Sequence, residues 1–222
     1  MARKLTEEQL GALLEAGIAE FAAHGPDRAN INAVARKAGV SVGALYKYFS
    51  SKDGFFQACL ERSLDVLETT LVEVTATGGS LLTQAEAVID AIQRHAWTHG
   101  DYRRLYLRLT VEGGARACRL AQEIEGVTAR LYPRFLADAQ AEGHIRQDAA
   151  PDFFAFFFDN LLMMLQFSCC CDYYKERFRL FCGADIAQQR EVVSAELLKF
   201  LESAFTAPRA DSARAANHRG KD

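Results

Sequence analysis

The stretch INAVARKAGVSVGALYKY, Ile31 to Tyr48, decides how this chain is read. It divides into two short helical pieces, Ile31 to Ala38 and Val42 to Tyr48, joined by Gly39-Val40-Ser41. Glycine permits the tight turn, and Asn30 and Ser41 each stand where a side-chain oxygen can cap the helix that follows. Two brief helices across a three-residue turn make a helix-turn-helix: the first helix buttresses, and the second lays its N-terminal residues in the major groove of DNA. Leu45 and Phe49 are assigned to the small core that must hold the two pieces together. The charge pattern agrees with this reading. From Arg28 to Lys52 there are five basic residues, Arg28, Arg36, Lys37, Lys47 and Lys52, and no acid. The whole chain carries −3, so the remainder sums to −8 and the positive patch sits on this motif.

Working outward, the periodicity is helical nearly everywhere, and no segment alternates apolar and polar residues long enough for a half-buried strand. The class is all-α. A first helix opens with the capping box Thr6-x-x-Gln9, carries an apolar stripe through Leu10, Leu13, Leu14, Ile18 and Phe21, and stops at Gly25-Pro26. Gly17 inside it costs about 1 kcal/mol relative to alanine. On the other side, Ser51 caps a long helix from Lys52 to about Val74, and Thr77-Gly78-Gly79-Ser80 breaks the chain. Further helices are expected over Leu81 to His99, Tyr102 to Glu112, Arg116 to Glu142, Pro151 to roughly Phe181 and Ile186 to Phe205. The expected division is a DNA-binding domain over 1–50, a connecting helix over 51–77, a larger helical domain over 78–206 and a disordered tail over 207–222.

The 222 residues are half apolar and a quarter charged, the signature of a folded globular protein. With pI about 6.0 there is no global positive field for nucleic acid or anionic lipid, so any such partner must meet a local patch. Met1 to Leu10 lacks the apolar core of a signal peptide. The longest apolar run, Phe153 to Cys171, is interrupted by Asp159, Asn160 and Gln166, which argues against a membrane span. Six cysteines, three of them consecutive, read as reduced cytoplasmic thiols rather than a disulfide framework.

Val34-Ala35-Arg36-Lys37-Ala38-Gly39-Val40-Ser41-Val42-Gly43-Ala44-Leu45-Tyr46-Lys47-Tyr48-Phe49-Ser50-Ser51-Lys52-Asp53 resembles the N-terminal signature of the TetR-family regulators. The resemblance covers roughly Leu13 to Leu60. It implies a homodimeric transcription factor with a three-helix DNA-binding domain and a variable helical domain for ligand and dimer contacts, most members repressing until a small molecule releases them. Asn30, where the family often has Thr, and Ser41 can as caps place their side chains near phosphates, and by the same resemblance Tyr46 and Lys52 match the family's phosphate-contact positions, so these four position the protein without reading sequence. Val42, Gly43, Ala44, Lys47 and Tyr48 then form the face toward the bases. Gly43 lets backbone approach, Lys47 donates to guanine, and Val42 and Ala44 meet thymine methyls. Many relatives carry a long polar or basic residue where Val42 stands, so the operator sequence does not follow.

The second domain centres on a helix that is apolar on every face, from Phe153 through Phe167, and therefore needs burial all round. A two-fold dimer in which this helix and the last helix pack against their copies would cover its outer face. Its inner face, with Trp97, Tyr102, Tyr106, Phe157, Asn160 and Met164, is the expected ligand-binding wall. Asp159 and Gln166, seven apart, share a face, and buried polar groups need partners in the protein, in water or in a ligand. His95 and His99, with Asp101 and Glu112 nearby, could be read as a metal site, but the spacing alone falls short of a ligand set. No cofactor is expected. Cys169, Cys170 and Cys171 point about 100 degrees apart on a helix and read as packing. The function expected is a ligand-responsive regulator of double-stranded operator DNA, with a constitutive DNA-binding dimer or an all-α metal enzyme as the alternatives.

Overall fold

The computed structural model describes residues 5–75, 79–110, 118, 121–123, 125–148 and 150–205. The breaking Thr77-Gly78, the expected helix end at Glu112-Gly113-Gly114, the helix start at Arg116 and the tail after Phe205 lie outside the described residues. The helices are α1 (Glu7–Arg28), α2 (Ile31–Lys37), α3 (Val42–Phe49), α4 (Lys52–Thr75), α5 (Leu81–Thr98), α6 (Gly100–Thr110), α7 (Thr128–Ala141), α8 (Pro151–Cys170), α9 (Asp172–Cys182) and α10 (Arg190–Phe205). The fold is all-α, as the periodicity required.

Local chemistry sets most helix starts. Thr6 Oγ1 accepts from Gln9 N and the Gln9 side chain accepts from Thr6 N, closing the capping box. Asn30, Ser41 and Ser80 cap α2, α3 and α5 through their side-chain oxygens, and Ser51 Oγ accepts from Gly54 N at the start of α4. The first helix breaks where glycine and proline stand together: Gly25 has φ 77 and ψ 165, and Pro26 to Arg28 form a last short turn beyond the kink.

Three expected helices differ. The segment expected as one helix from Arg116 to Glu142 is interrupted at Gly126-Val127, where a Cβ on Gly126 would stand 2.5 Å from Gln122 O. The helix from Pro151 to Phe181 is two helices, because Cys171 adopts extended backbone (φ −112, ψ 127); the break lets Tyr174 turn back onto Phe167, with ring centroids 5.4 Å apart. Ile186 to Gln188 form a separate 3-10 turn, capped by Asp185, ahead of α10.

Among the described residues, two large buried clusters result, with a small third one at Phe167, Cys170 and Cys171. The first joins α1 to α4 around Phe21, Leu45, Phe55 and Phe56, and it also takes in Tyr102, Leu105 and Leu109 of α6. The second gathers α4, α5, α7, α8 and α10 around Ile89, Tyr132, Phe158 and Leu162. Gly17 is explained by the first cluster: a Cβ there would meet Phe55 Cζ at 2.4 Å and Cys59 Sγ at 2.7 Å, so α1 and α4 approach too closely for any side chain. By length and composition α8 could cross a membrane, yet it packs against α5, α6, α7 and α9. One face of it stays bare: Phe153 is 66% exposed and Phe157 54%.

Candidate nucleic-acid interface and effector cavity

The helix-turn-helix is held from below and open above. Leu45 is fully buried under α3, and the Phe49 ring packs at a tilt against Phe55 with centroids 4.9 Å apart, so both residues fasten α3 to α4. On the opposite face Ser41, Gly43, Tyr46, Lys47 and Tyr48 are exposed, and Val42 and Ala44 are half-buried. Gly39 takes φ 67 in the turn, a left-handed backbone that favours glycine. Gly43 is different: a Cβ there would meet nothing within 4 Å, so nothing in the protein's own packing requires glycine at that position. The caps also orient the motif. Asn30 Oδ1 accepts from Asn32 N and Ala33 N, while Asn30 N donates to Glu20 Oε1 of α1 at 2.8 Å. Lys52 Nζ donates to Asp27 O at 2.8 Å, which brings its ammonium beside the α1–α2 junction at the start of α4. Arg28, Arg36, Lys37 and Lys47 are all exposed.

The six residues expected to form a ligand wall do not line one cavity. Trp97 and Tyr102 face a polar cleft of about 340 Å³ that includes His99, Asp101, Arg104 and Lys175. Tyr106 lines an inner cavity of about 30 Å³ under α6 and α8. Asn160 faces a groove of about 360 Å³ between α7 and α8, where its Nδ2 donates to Phe156 O. Phe157 and Met164 are exposed on the outer side of α8. The divergence is angular: on a helix at 100 degrees per residue, positions 157, 160 and 164 turn away from the face that Asp159, Met163 and Gln166 present inward.

That inner face holds the chemistry. Arg103, Tyr106, Glu125, Thr128, Tyr132, Asp159, Met163 and Gln166 surround the inner cavity. Glu125, Thr128, Asp159 and Met163 also line the α7–α8 groove, so the two spaces adjoin. The Tyr106 hydroxyl donates to Glu125 and also lies 3.2 Å from Met163 Sδ. Burial, with the Glu125 charge beside it, raises the Asp159 carboxyl to about 6. Of these residues only Tyr106, Asp159 and Gln166 carry a sequence signal, polar groups in an apolar surround. Arg103 carries none, because a charged residue on a short helix ordinarily reads as surface.

His95 and His99 stack at 4.7 Å, and His95 Nδ1 faces the Arg103 guanidinium at 3.4 Å. Burial and that cation pull the His95 imidazole down to about 3. Among the described residues no group of three His, Cys, Asp or Glu is placed to hold a metal; Glu112 lies outside them. Cys169 and Cys170 are the last turns of α8, and Cys171 stands outside any helix, so the 100 degree fan does not extend to it. Cys170 Sγ and Cys171 Sγ are 3.7 Å apart and buried.

Residues 13–59 match the family model described as bacterial regulatory proteins, tetR family. The A-factor receptor protein of Streptomyces griseus is 31% identical over 104 residues, 46% of this chain and 34% of that protein. The match therefore spans about a third of that relative's length. Among solved structures, a transcriptional regulator of Saccharomonospora viridis in complex with choline superposes with TM-score 0.72 at 16% identity, covering 91% of this chain and 100% of that one. The transcriptional regulator FadR of Bacillus subtilis, in complex with stearoyl-CoA, gives 0.67 at 15% identity over 85% and 97%. The ketosteroid regulator KstR2 of Mycobacterium tuberculosis gives 0.65 at 20% over 94% and 100%. These likenesses establish the fold, and the capped, basic helix-turn-helix falls within residues 13–59, the part of the chain that matches the model of the tetR-family regulators.

Proposed function

We propose that this chain is a cytoplasmic, ligand-responsive transcriptional repressor, acting as a homodimer on a roughly palindromic double-stranded operator. One observation carries the reading: α3 is fastened by Leu45 and Phe49 while its opposite face, flanked by an acid-free run of cations, is exposed. Asn30, Ser41, Tyr46 and Lys52 are the phosphate contacts, and Val42, Gly43, Ala44, Lys47 and Tyr48 face the bases. Residues 1–50 serve as the DNA-binding unit, 51–77 as its connector and 78–206 as the effector and dimer unit. The bare aromatic face of α8, with exposed Val192 and Phe200 on α10, supports a four-helix seam between two copies. No catalytic role is assigned.

Coupling between the units runs through α6 as well as α4. Arg103 and Tyr106 of α6 face the inner cavity, while Leu105 and Leu109 pack into the N-terminal core. Tyr102 Oη donates to Glu15 of α1, and Arg108 donates to Ala22 O and Ala23 O at 3.1 and 3.0 Å. A molecule that moves α6 therefore moves α1. Two recognition helices fit successive major grooves only when about 34 to 36 Å apart, so such a shift releases the operator. By linkage, operator must weaken effector binding by the same factor.

The test is selection of random duplex DNA on the purified protein, repeated at several salt concentrations. An inverted repeat is expected. Lys52→Ala should then weaken binding evenly across sequences and reduce the salt slope by about one, whereas Lys47→Ala should also relax base preference. An unchanged sequence preference in the Lys47 variant contradicts its place at the bases. Retention without a shared sequence sinks the operator reading, and a thermal-shift screen with no responding compound leaves the constitutive dimer.

A further inference from the structure

The inner cavity contains an imbalance that the fold does not resolve. Arg103 is only 7% exposed, and its one hydrogen-bond contact among the described residues is the 3.4 Å approach to His95 Nδ1. No carboxylate of a described residue lies within ion-pair distance of it. A guanidinium carries five N–H donors and accepts nothing, and Glu125, the acid facing the same cavity, offsets its charge only from beyond ion-pair distance. Gln166 is 8% exposed and Tyr132 3%, and neither side chain's polar group makes a hydrogen bond among the described residues. All three line the same small cavity. The two acids facing it are differently placed: Glu125 already accepts from the Tyr106 hydroxyl, and Asp159 lies beside Thr128. What the cavity lacks among the described residues is therefore an acceptor within hydrogen-bond reach of Arg103, Tyr132 and Gln166.

Its size and continuity say how an acceptor would arrive. About 30 Å³ holds one functional group or a water, not a whole molecule. The adjoining groove of about 360 Å³, walled by Pro133, Ala155, Phe156 and Met163, holds an apolar body. We propose that the inner cavity seats the head group of the effector, and that the effector is an apolar small molecule ending in an oxygen acceptor, a carbonyl or a carboxylate, that pairs with Arg103, Tyr132 and Gln166. The inference rests on the reading of the chain as a ligand-responsive regulator and assigns the chemistry of its ligand. A neutral carbonyl meets no repulsion from Glu125 and Asp159; a carboxylate must sit against Arg103.

The probes are methyl octanoate, octanoate and octylamine, which share one apolar body and differ in the head. Their binding to the full chain is followed by calorimetry, alongside operator retention. Methyl octanoate or octanoate should bind at least about tenfold tighter than octylamine, the difference expected when buried donors are met rather than opposed. Which of the two binds tells carbonyl from carboxylate. Arg103→Met should weaken the better probe by about tenfold or more. Tyr132→Phe keeps the ring against Phe158 and should weaken it by about threefold, which tests the site even if the arginine variant does not fold. Octylamine binding as tightly as the others overturns the proposal, as does a protein that retains operator and binds none of the three, since the cavity then holds only solvent. A protein that binds the ester through Arg103 but selects no DNA upholds the head-group site and overturns the regulator reading instead.

Discussion

The two large buried clusters of this molecule are built from the same materials and finished differently. Around Phe21 and Phe55 the fit is tight enough that a single methyl at Gly17 has no room, and the polar groups at the helix starts are met by caps one to three residues away. Around Tyr132 and Phe158 a phenol and an amide face a cavity without hydrogen-bond partners among the described residues, and the guanidinium beside them reaches only His95 Nδ1. The first cluster is a platform that holds a reading face still. The second retains unsatisfied hydrogen-bonding capacity, which a structural core has no use for and a ligand site requires. The contrast teaches where rigidity and responsiveness sit in one chain: α6 belongs to both, with its apolar side in the platform and Arg103 in the cavity.

The contrast can be broken from either side, beginning with the platform. Leu45→Ala removes a fully buried side chain beneath α3 and should cost about 2–5 kcal/mol, measured by urea denaturation, with loss of operator retention. A variant that loses less than about 1 kcal/mol and still holds DNA would mean that α3 is not fixed from below. The cavity is probed by pH. Asp159 has its folded-state carboxyl raised to about 6 from 3.8, so the native protein binds this proton more tightly than the unfolded chain does. The penalty of the ionised form is in full force above that value and is relieved as pH falls from 6 toward 4. Asp159→Asn should accordingly be more stable than the parent by about 2 kcal/mol at neutral pH, with the difference gone near pH 4. His95, pulled down to about 3, acts with the opposite sign, costing stability as pH falls below 6.5, but it is common to both proteins and cancels in the difference. A pH-independent difference would deny Asp159 its buried setting.

The smallest effect on stability tests the reading face most sharply. Gly43→Ala adds a methyl where nothing of the protein lies within 4 Å and replaces glycine inside a helix, so stability should rise by up to about 1 kcal/mol. Operator affinity should nonetheless fall, because in the proposed docking the added methyl stands between α3 and the bases. If stability rises and affinity holds, Gly43 does not approach DNA and the docking of α3 must be redrawn.

What could be read without coordinates was whatever depends on neighbours in the chain. The capping box at Thr6 and Gln9, the caps at Asn30, Ser41 and Ser51, the break at Gly25-Pro26 and the acid-free basic run are all satisfied within a few residues, so the class and the helix-turn-helix were legible. That Asp159 and Gln166 share a face also followed from their spacing of seven; which way that face points did not. The pocket did not follow. Its wall was expected from Trp97, Tyr102, Tyr106, Phe157, Asn160 and Met164, and the helices send these residues to separate cavities and to the outer surface, because the facing of a helix is set by what packs on it. The interruption at Cys171 was equally silent, since no glycine or proline marks it and only the return of Tyr174 onto Phe167 explains it.

The sequence by itself thus determined an all-α chain with a capped, basic helix-turn-helix, because caps, turns and charge runs are short-range and each residue type carries its own bias. Only the tertiary structure decided that α6 docks on α1, that Gly17 must lack a side chain, and that Arg103 is buried before an open cavity. Those facts depend on residues tens of positions apart meeting in space, and no local preference encodes such a meeting.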